Sequence, residues 1–331
     1  GMPASLEAVS NILNLDDKKK GTGKNLIRYF SIPCKPTKTN GGRTRNLPEH
    51  APEDWEEFID YLRYDVLSEK EIFGKLSRFE FPEEEQRIYA ADQRINDYGI
   101  LADLDLAHAA QDMDEEYKAR LTEKAEKVYG LSSLKSMPQL KGFIKERTGV
   151  VIDSLNKNSI EEVIETVASL ENVTDEDKQA VLDVIDLRRE IGKTSNAKYT
   201  AILASAGRGN RIRGLFRYYG ANRTGRWAGR LVQLQNLPQN HIEDLDGARD
   251  LAKMHDLDMM EVIYDKPTHI LSQLIRTAFI APEGYTFSVA DFSAIEARVI
   301  AWVANEQWRL DLFNDPKADI YCASASKMFG V

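Results

Sequence analysis

Apolar residues recur at helical spacing over most of the chain, and β-branched runs are short and few. Trp55, Phe58, Ile59, Leu62 and Val66 share one face of a predicted helix that opens at Pro52. Glu53, Asp54, Glu56 and Glu57 fill its first turns, where the helix dipole favours acids. Tyr61 and Asp65 lie four apart on it, so both side chains reach one place. Ahead of it come a weak helix (Leu6 to Leu15), a Lys/Gly-rich patch and PCKPTKTNGGRTRNLP, a loop by composition. Residues 82–129 predict two amphipathic helices broken near Tyr98 and Gly99, where DYGILAD turns into a short extended segment. The second, roughly Leu104 to Tyr129, carries opposite charges at helical spacing (DMDEEYKARLTEKAEKV). That pattern predicts an exposed rod projecting from the body. GLSSLKSMPQLKGFIKERTG predicts a short helix ending near Gly149, and Asn158 to Leu170 and Asp175 to Lys193 predict two more.

The pattern changes after residue 200. AILASAGRGNRIRGLFRYYG mixes short apolar pieces with glycine and arginine, which favours strands and turns. Residues 243–266 are acidic and helical, a local excursion. SQLIRTAFIAPEGYTFSVAD predicts a strand, a PEG turn and a second strand, an antiparallel hairpin. Its last piece, Phe287 to Ala290, reads as a buried strand that stops at Asp291, and a helix follows with Ile295, Val299 and Val303 on one face. Two readings of this junction stand. In one, Ser293 and Glu296 form a capping box and Asp291 is a turn residue. In the other, Asp291 is a strand-end carboxylate that holds Mg²⁺, with Glu296 beside the same cavity.

Composition narrows the class. A chain of 331 residues exceeds one typical core and predicts two or three domains. Its 42% hydrophobic and 29% charged content is that of a folded globular protein, which excludes a disordered chain. No apolar run approaches the ~18 residues of a membrane span, and no signal peptide is visible. Cys34 and Cys322 are far apart and belong to no CxxC, which speaks against a disulfide framework or zinc site and for a reducing, cytoplasmic setting. KKKGTGKN lacks the first glycine of a phosphate-binding loop and has Asn25 in place of its Ser/Thr, so it reads as a solvated basic loop.

Charge is unevenly spread. The net charge is −9, yet no acid occurs between Glu190 and Glu243, where Lys193, Lys198, Arg208, Arg211, Arg213, Arg217, Arg223, Arg226 and Arg230 all fall. Within that tract ANRTGRWAGRLVQLQNLPQ is dense in Arg, Asn and Gln. Arg suits phosphates and minor-groove acceptors, and Asn and Gln suit base and sugar edges. The competing reading is a solvated polar loop.

IRTAFIAPEGYTFSVADFSAIEARVIAW, with DIYCASASKMFGV after it and TGRWAGRLVQLQNLP before it, resembles family A DNA polymerases, the bacterial DNA polymerase I type and most of all their phage-encoded members. EEEQRIYAADQRINDYGILAD resembles the family's first palm helix, GLSSLKSMPQLKGFI its thumb, DLRREIGKTSNAKY the helix returning to the palm, and Tyr61 and Asp65 its third proofreading-exonuclease motif. The implied fold is α+β and predominantly helical. It would comprise an exonuclease remnant (1–78), a first palm segment (79–106), a helical thumb (107–204), palm with short antiparallel strands (205–295) and the start of the fingers (296–331).

The resemblance also implies a reaction, template-directed DNA synthesis by attack of the primer 3′-oxygen on the nucleotide α-phosphate, with two Mg²⁺ ions. Asp291 would be the first metal aspartate, Phe292 would add its backbone carbonyl, and Glu296 would be the steric gate beneath the sugar. Arg226 would meet the primer-terminal pair, and Gln233, Gln235 and Asn236 would line the minor groove, with Arg223 and Arg230 on the same DNA surface. The implied partners are primer-template DNA and dNTP. Ala294 stands where many members have Gln, and Gln233 where they have Asn. The match stops at Val331, before the family's fingers nucleotide-binding helix and second metal aspartate. The expectation is therefore an internal fragment, inactive alone, with a non-catalytic DNA-binding module or a polymerase-derived remnant as the alternatives. Large apolar groups around Trp302, Trp308 and Phe313 predict a dimer through the truncated fingers.

Overall fold

A computed structural model describes residues 5–15, 23–156, 159–193, 195–221, 223–315 and 318–330. The Lys/Gly-rich patch up to residue 22 and the predicted helix start at Asn158 lie outside them. The chain forms two compact units, Gly1–Ile280 and Ala281–Val331.

In the first unit, α1 (Leu6–Ile12) starts where the Ser5 hydroxyl accepts the Ala8 amide at 3.1 Å. α2 (Gly23–Ser31), which the sequence pattern did not reveal, lies against α3 (Pro52–Leu76). Leu26, Phe58 and Tyr61 make a small core there, with Phe30 and Trp55 packed on it. The apolar face expected on α3 is thus narrower: Phe58, Tyr61 and Ser68 are buried, while Ile59, Leu62 and Val66 are exposed. α2 covers only the Tyr61 side.

The main core follows. α4 (Glu83–Tyr98) ends at Gly99, whose φ of 66° and ψ of −176° turn the chain into β1 (Ile100–Ala102). α5 (Leu104–Tyr129) has the expected length but not the expected surroundings. It is the centre of the core, with Leu106, Ala107, Ala110, Met113, Tyr117, Leu121 and Ala125 buried. These residues recur at three- and four-residue steps beneath the charges, and that stripe, not the charge pattern, decides where the helix sits. Around it stand α6 (Met137–Thr148), closed by Gly149 as expected, α7 (Ile160–Ala168), α8 (Asp175–Ile191) and α9 (Ala197–Ser205).

Short strands succeed α9: β2 (Ala206–Gly207), β3 (Arg211–Ile212), β4 (Phe216–Ala221) and β5 (Arg226–Gly229). α10 (Leu245–Met254) and α11 (Leu257–Tyr264) are helical as expected, but they are no excursion. Ala248, Ala252, Leu257 and Met260 enter the main core, and α10 packs on α5. α12 (Pro267–Leu274) is almost wholly buried and leads through a 3₁₀ turn into β6 (Phe279–Ile280). The expected hairpin into Asp291 does not form. β6 pairs instead with β1, in the antiparallel order β2-β3-β1-β6. The first strand of that hairpin is present as β6 and the PEG turn forms, with the Tyr285 amide donating to the Pro282 carbonyl at 3.0 Å; the second strand is missing.

Asp103 ties this core together. Its carboxylate accepts the Leu106 amide at the start of α5 (3.1 Å) and pairs with Arg249 (2.9 Å) and Lys253 (2.6 Å) on α10. Burial pushes its pKa up, but the Lys253 and Leu106 hydrogen bonds and the two cations outweigh this and hold it below the usual carboxylate value. A carboxyl depressed in the folded state adds stability that is full above its unfolded pKa and is lost as pH falls through the folded one. Urea midpoints should therefore fall on acidification from about pH 5 to about pH 3, and less steeply in Asp103→Asn. Equal pH slopes for the two proteins would refute the assignment.

In the second unit, residues 285–292 form no regular structure, so the strand expected at Phe287 to Ala290 is absent and Val289 is 92% exposed. A β-branched run becomes a strand only when another strand takes up its amides and carbonyls, and none among the described residues does. Three helices follow: α13 (Ile295–Val303), α14 (Gln307–Leu312) and α15 (Ile320–Phe329). Trp302 is exposed, whereas Trp308 lies under Lys327 and Arg309, and Phe313 under Arg298. No described helix is long and apolar enough to cross a membrane.

Candidate functional site

The acid-free tract forms a braced hairpin. β4 and β5 pair with Phe216 opposite Gly229 and Ala221 opposite Arg226, and an irregularity lies between. At the turn, Thr224 and Gly225 donate their amides to the Ala221 carbonyl at 3.0 and 2.9 Å. Gly220 is required where the strands touch, because a Cβ there would stand 2.3 Å from that of Ala228.

The brace comes from α4. Asp92, 2% exposed, accepts the Trp227 indole N–H at 2.6 Å and the Asn96 side-chain amide at 3.1 Å. Asn96 in turn accepts the Phe216 amide (2.9 Å) and donates to the Phe216 carbonyl (3.1 Å). The Tyr218 hydroxyl donates to Glu85, and that carboxylate pushes the phenol pKa up to about 12. Tyr218 meets Tyr89 and Trp227 edge-on, with centroids 5.6 and 5.7 Å away. With its other side chains fixed in this way, the hairpin holds Arg217, Arg223 and Arg226 exposed. Sequence reasoning had missed Asp92, Asn96, Tyr218 and Trp227. The one available signal was an Asp and an Asn four apart on one face of a helix.

The following loop is held as firmly. The Arg230 amide donates to the Leu215 carbonyl (2.7 Å), Lys198 Nζ to that of Val232 (2.7 Å), and Arg276 to those of Leu237 and Pro238 (both 2.8 Å). The Gln235 amide lies over Gly229, where a Cβ would stand 2.2 Å from it. Asn236 donates to the Gln233 side chain at 3.3 Å. Arg230, Gln233, Gln235 and Asn236 are all exposed. The six residues expected to face nucleic acid thus lie on one hairpin and its succeeding loop, a fixed array of donors suited to phosphate oxygens and base edges.

Asp291 belongs to the second unit. It is exposed on the irregular segment before α13, next to Phe292, which is 77% exposed. The capping box is absent. α13 begins at Ile295 after Ala294, whose φ is 50°, and no side chain caps it. Ser293 serves through its carbonyl instead, accepting Arg298 Nε at 2.8 Å. Glu296 is exposed in the first turn. A carboxylate beside a free-standing carbonyl is a hard-oxygen donor pair of the type Mg²⁺ takes. Among the described residues, no three His, Cys, Asp or Glu side chains are grouped to hold a metal.

Tyr61 and Asp65 share a face of α3, but Tyr61 is only 2% exposed. Its ring lies against Gly23 of α2 and stacks parallel to Phe58 at 6.3 Å. Tyr61 is part of a core.

A family model described as DNA polymerase family A matches residues 105–331. A DNA polymerase of Bacillus phage SP02 is 51% identical over all 331 residues, which is 49% of its own length. DNA polymerase I of Pseudomonas aeruginosa is 44% identical over 57 residues, and the thermostable enzyme of Thermus aquaticus 43% over 61, or 17% and 18% of this chain and 6% and 7% of theirs. The chain thus spans about half the length of the phage relative and a small part of the bacterial ones. In fold it resembles the polymerase domain of Pol1 from M. smegmatis, solved with DNA primer-template and dNTP, with a TM-score of 0.50 and 19% identity over the whole chain and 48% of that domain.

Proposed function

The chain belongs to DNA polymerase family A, and from that premise we propose that it serves template-directed DNA synthesis, with the β4–β5 hairpin and its following loop as the surface that holds the primer-template. The observation that carries this reading is the hairpin itself. Six exposed donors stand on a hairpin fixed by Asp92 and Asn96 and on a loop held by Lys198 and Arg276, inside a tract without acids.

In this reading residues 107–204 are thumb, 79–106 and 205–295 palm, 296–331 the start of fingers, and 1–78 a remnant of an exonuclease domain. Arg226 lies against the primer-terminal pair, with Arg223 and Arg230 on the backbone and Gln233, Gln235 and Asn236 along the minor groove. Glu296 stands where a 2′-hydroxyl would collide, selecting deoxynucleotides. Mg²⁺, held by the Asp291 carboxylate and the Phe292 carbonyl, would supply charge stabilisation to phosphoryl transfer. Residues 1–331 by themselves carry one of the family's two metal aspartates and nothing for the triphosphate, so that stretch alone is inactive. The site of action is the cytoplasm of a bacterial cell. Two copies could associate through Trp302 and Val303 on α13, and a monomer by light scattering at high concentration would remove that partner.

The measurement that tests the DNA surface is salt-dependent binding of a primer-template duplex. Arg226→Ala should weaken binding, and Arg230→Ala, which removes one phosphate contact, should also lower the slope of log affinity against log salt by about 0.9. Unchanged affinity and slope would count against the hairpin as the DNA surface. A second reading, a DNA-binding module without catalysis, rests on the braced hairpin alone. It expects binding that ignores Asp291→Ala and a full-length protein that never extends a primer.

A further inference from the structure

A second stretch of the sequence also lacks acids. Between Asp17 and Glu49 there is no Asp or Glu, while nine Lys and Arg fall inside. The polymerase reading of the hairpin makes no use of this stretch.

Residues 32–47 form a loop with a built shape. Asn40 is its staple: Oδ1 accepts the Thr37 and Gly42 amides (2.9 and 3.1 Å), and Nδ2 donates to the carbonyls of Lys35 (2.8 Å) and Arg43 (3.3 Å). The Cys34 amide donates to the Thr44 carbonyl across the loop at 2.8 Å. Asn46 donates to the Tyr29 carbonyl at 3.0 Å, which ties the loop to α2. Gly41 and Gly42, with φ of 68° and 76°, make the reversal that L side chains rarely adopt.

This ordering serves no apolar core. Residues 35–45 hold no aliphatic or aromatic side chain except Pro36. What the loop presents is charge: Lys35, Lys38 and Arg45 are exposed, and so are Lys24 and Arg28 on α2. None of these five is in an ion pair among the described residues, whereas Arg63, Lys75 and Arg87 on the neighbouring helices pair with acids on their own helix. Unpaired cations on a preformed loop repel one another until a polyanion neutralises them and releases its counterions.

We propose that the 32–47 loop and the exposed cations of α2 form a second nucleic-acid contact, separate from the β4–β5 hairpin, that grips phosphodiester backbone without reading sequence. A lipid surface fits less well, because the tip has no apolar wedge to bury among acyl chains. The Tyr61 and Asp65 pair takes no part, since Tyr61 is enclosed. The inference relies on the polymerase reading only for the choice of nucleic acid as the polyanion.

The test is salt-dependent binding by the full chain to a primer-template duplex and to a single-stranded oligonucleotide, comparing wild type, the triple variant K35A/K38A/R45A, Asn40→Ala and Arg226→Ala. The triple variant should lower the duplex salt slope by about 2 to 3 units, one for each lost contact. Asn40→Ala keeps every charge and should give part of that loss, because only the loop's shape is released. Wild-type slopes in the triple variant on both nucleic acids would overturn the proposal. So would losses confined to phosphatidylserine vesicles or to polyglutamate, which would assign the surface to a membrane or an acidic protein. If Arg226→Ala weakens binding and the triple variant does not, this inference fails and the hairpin reading stands. The reverse pattern removes the hairpin reading and leaves this one.

Discussion

In a polypeptide that joins this segment to the rest of the family A catalytic core, Asp291→Ala should lower primer extension by about 10³-fold or more while leaving primer-template binding near its original strength. The carboxylate stands on an exposed, irregular segment, next to a carbonyl of the same chemical hardness and with no strand among the described residues around it. Removing it strands no buried partner and opens no cavity. A loss of activity would then report on phosphoryl transfer and not on folding, which circular dichroism of the variant would check. Asp291→Asn should fail almost as badly, since an amide keeps the shape and loses the charge that a divalent ion needs. Residues 1–331 alone should incorporate no nucleotide, with or without Asp291. Robust incorporation by that stretch, abolished by Asp291→Ala, would sink the claim that its site is incomplete.

Gly99→Ala should strongly destabilise the first unit. Its φ of 66° and ψ of −176° fall in a region open in practice only to glycine, and forcing alanine there costs roughly 1–3 kcal/mol. The added Cβ would also stand 2.4 Å from the Ile212 carbonyl oxygen, a backbone atom that cannot rotate away. Moving it disturbs β3, which pairs with β1 through Ile100 and Leu101, and overpacking of this kind typically adds about 1–3 kcal/mol. Arg213 and Arg211, which reach back to the carbonyls of Asp97 and Gly99, would shift too. Thermal melting would check this, together with hydrogen exchange at the β1 and β3 amides. A melting temperature within about one degree of wild type would show that the turn has more freedom than its geometry allows.

What the sequence revealed and what it hid divide along the range of the forces involved. The ends of α5 were legible because Asp103 caps one and Gly130 closes the other, both within a turn of the helix they bound. Its place at the centre of the core was not, because abundant charges on the outer face mask a stripe in which alanines alternate with larger apolar residues. α2 was missed because its one buried large residue, Leu26, means nothing without α3 to cover it. The strand expected before Asp291 failed for a related reason: a ladder needs a second chain segment, and a β-branched run cannot announce one. The exposure of Arg226, Gln233 and Asn236 was readable from a tract without acids, since charge acts on solvent directly. The brace beneath them was not, because Asp92 and Trp227 stand 135 residues apart.

That brace also governs how the hairpin can drift over generations. Trp227 lost without Asp92 would leave a carboxylate enclosed with one partner fewer, and Asp92 lost without Trp227 would take from a half-exposed indole the acceptor that orients it. Either step alone passes through a poorer ancestor, so the two positions should be inherited as a couple. Lineages that place an aliphatic residue at 227 should have given up the acid at 92 as well, and a survey of the two columns in related genomes would read the coupling directly.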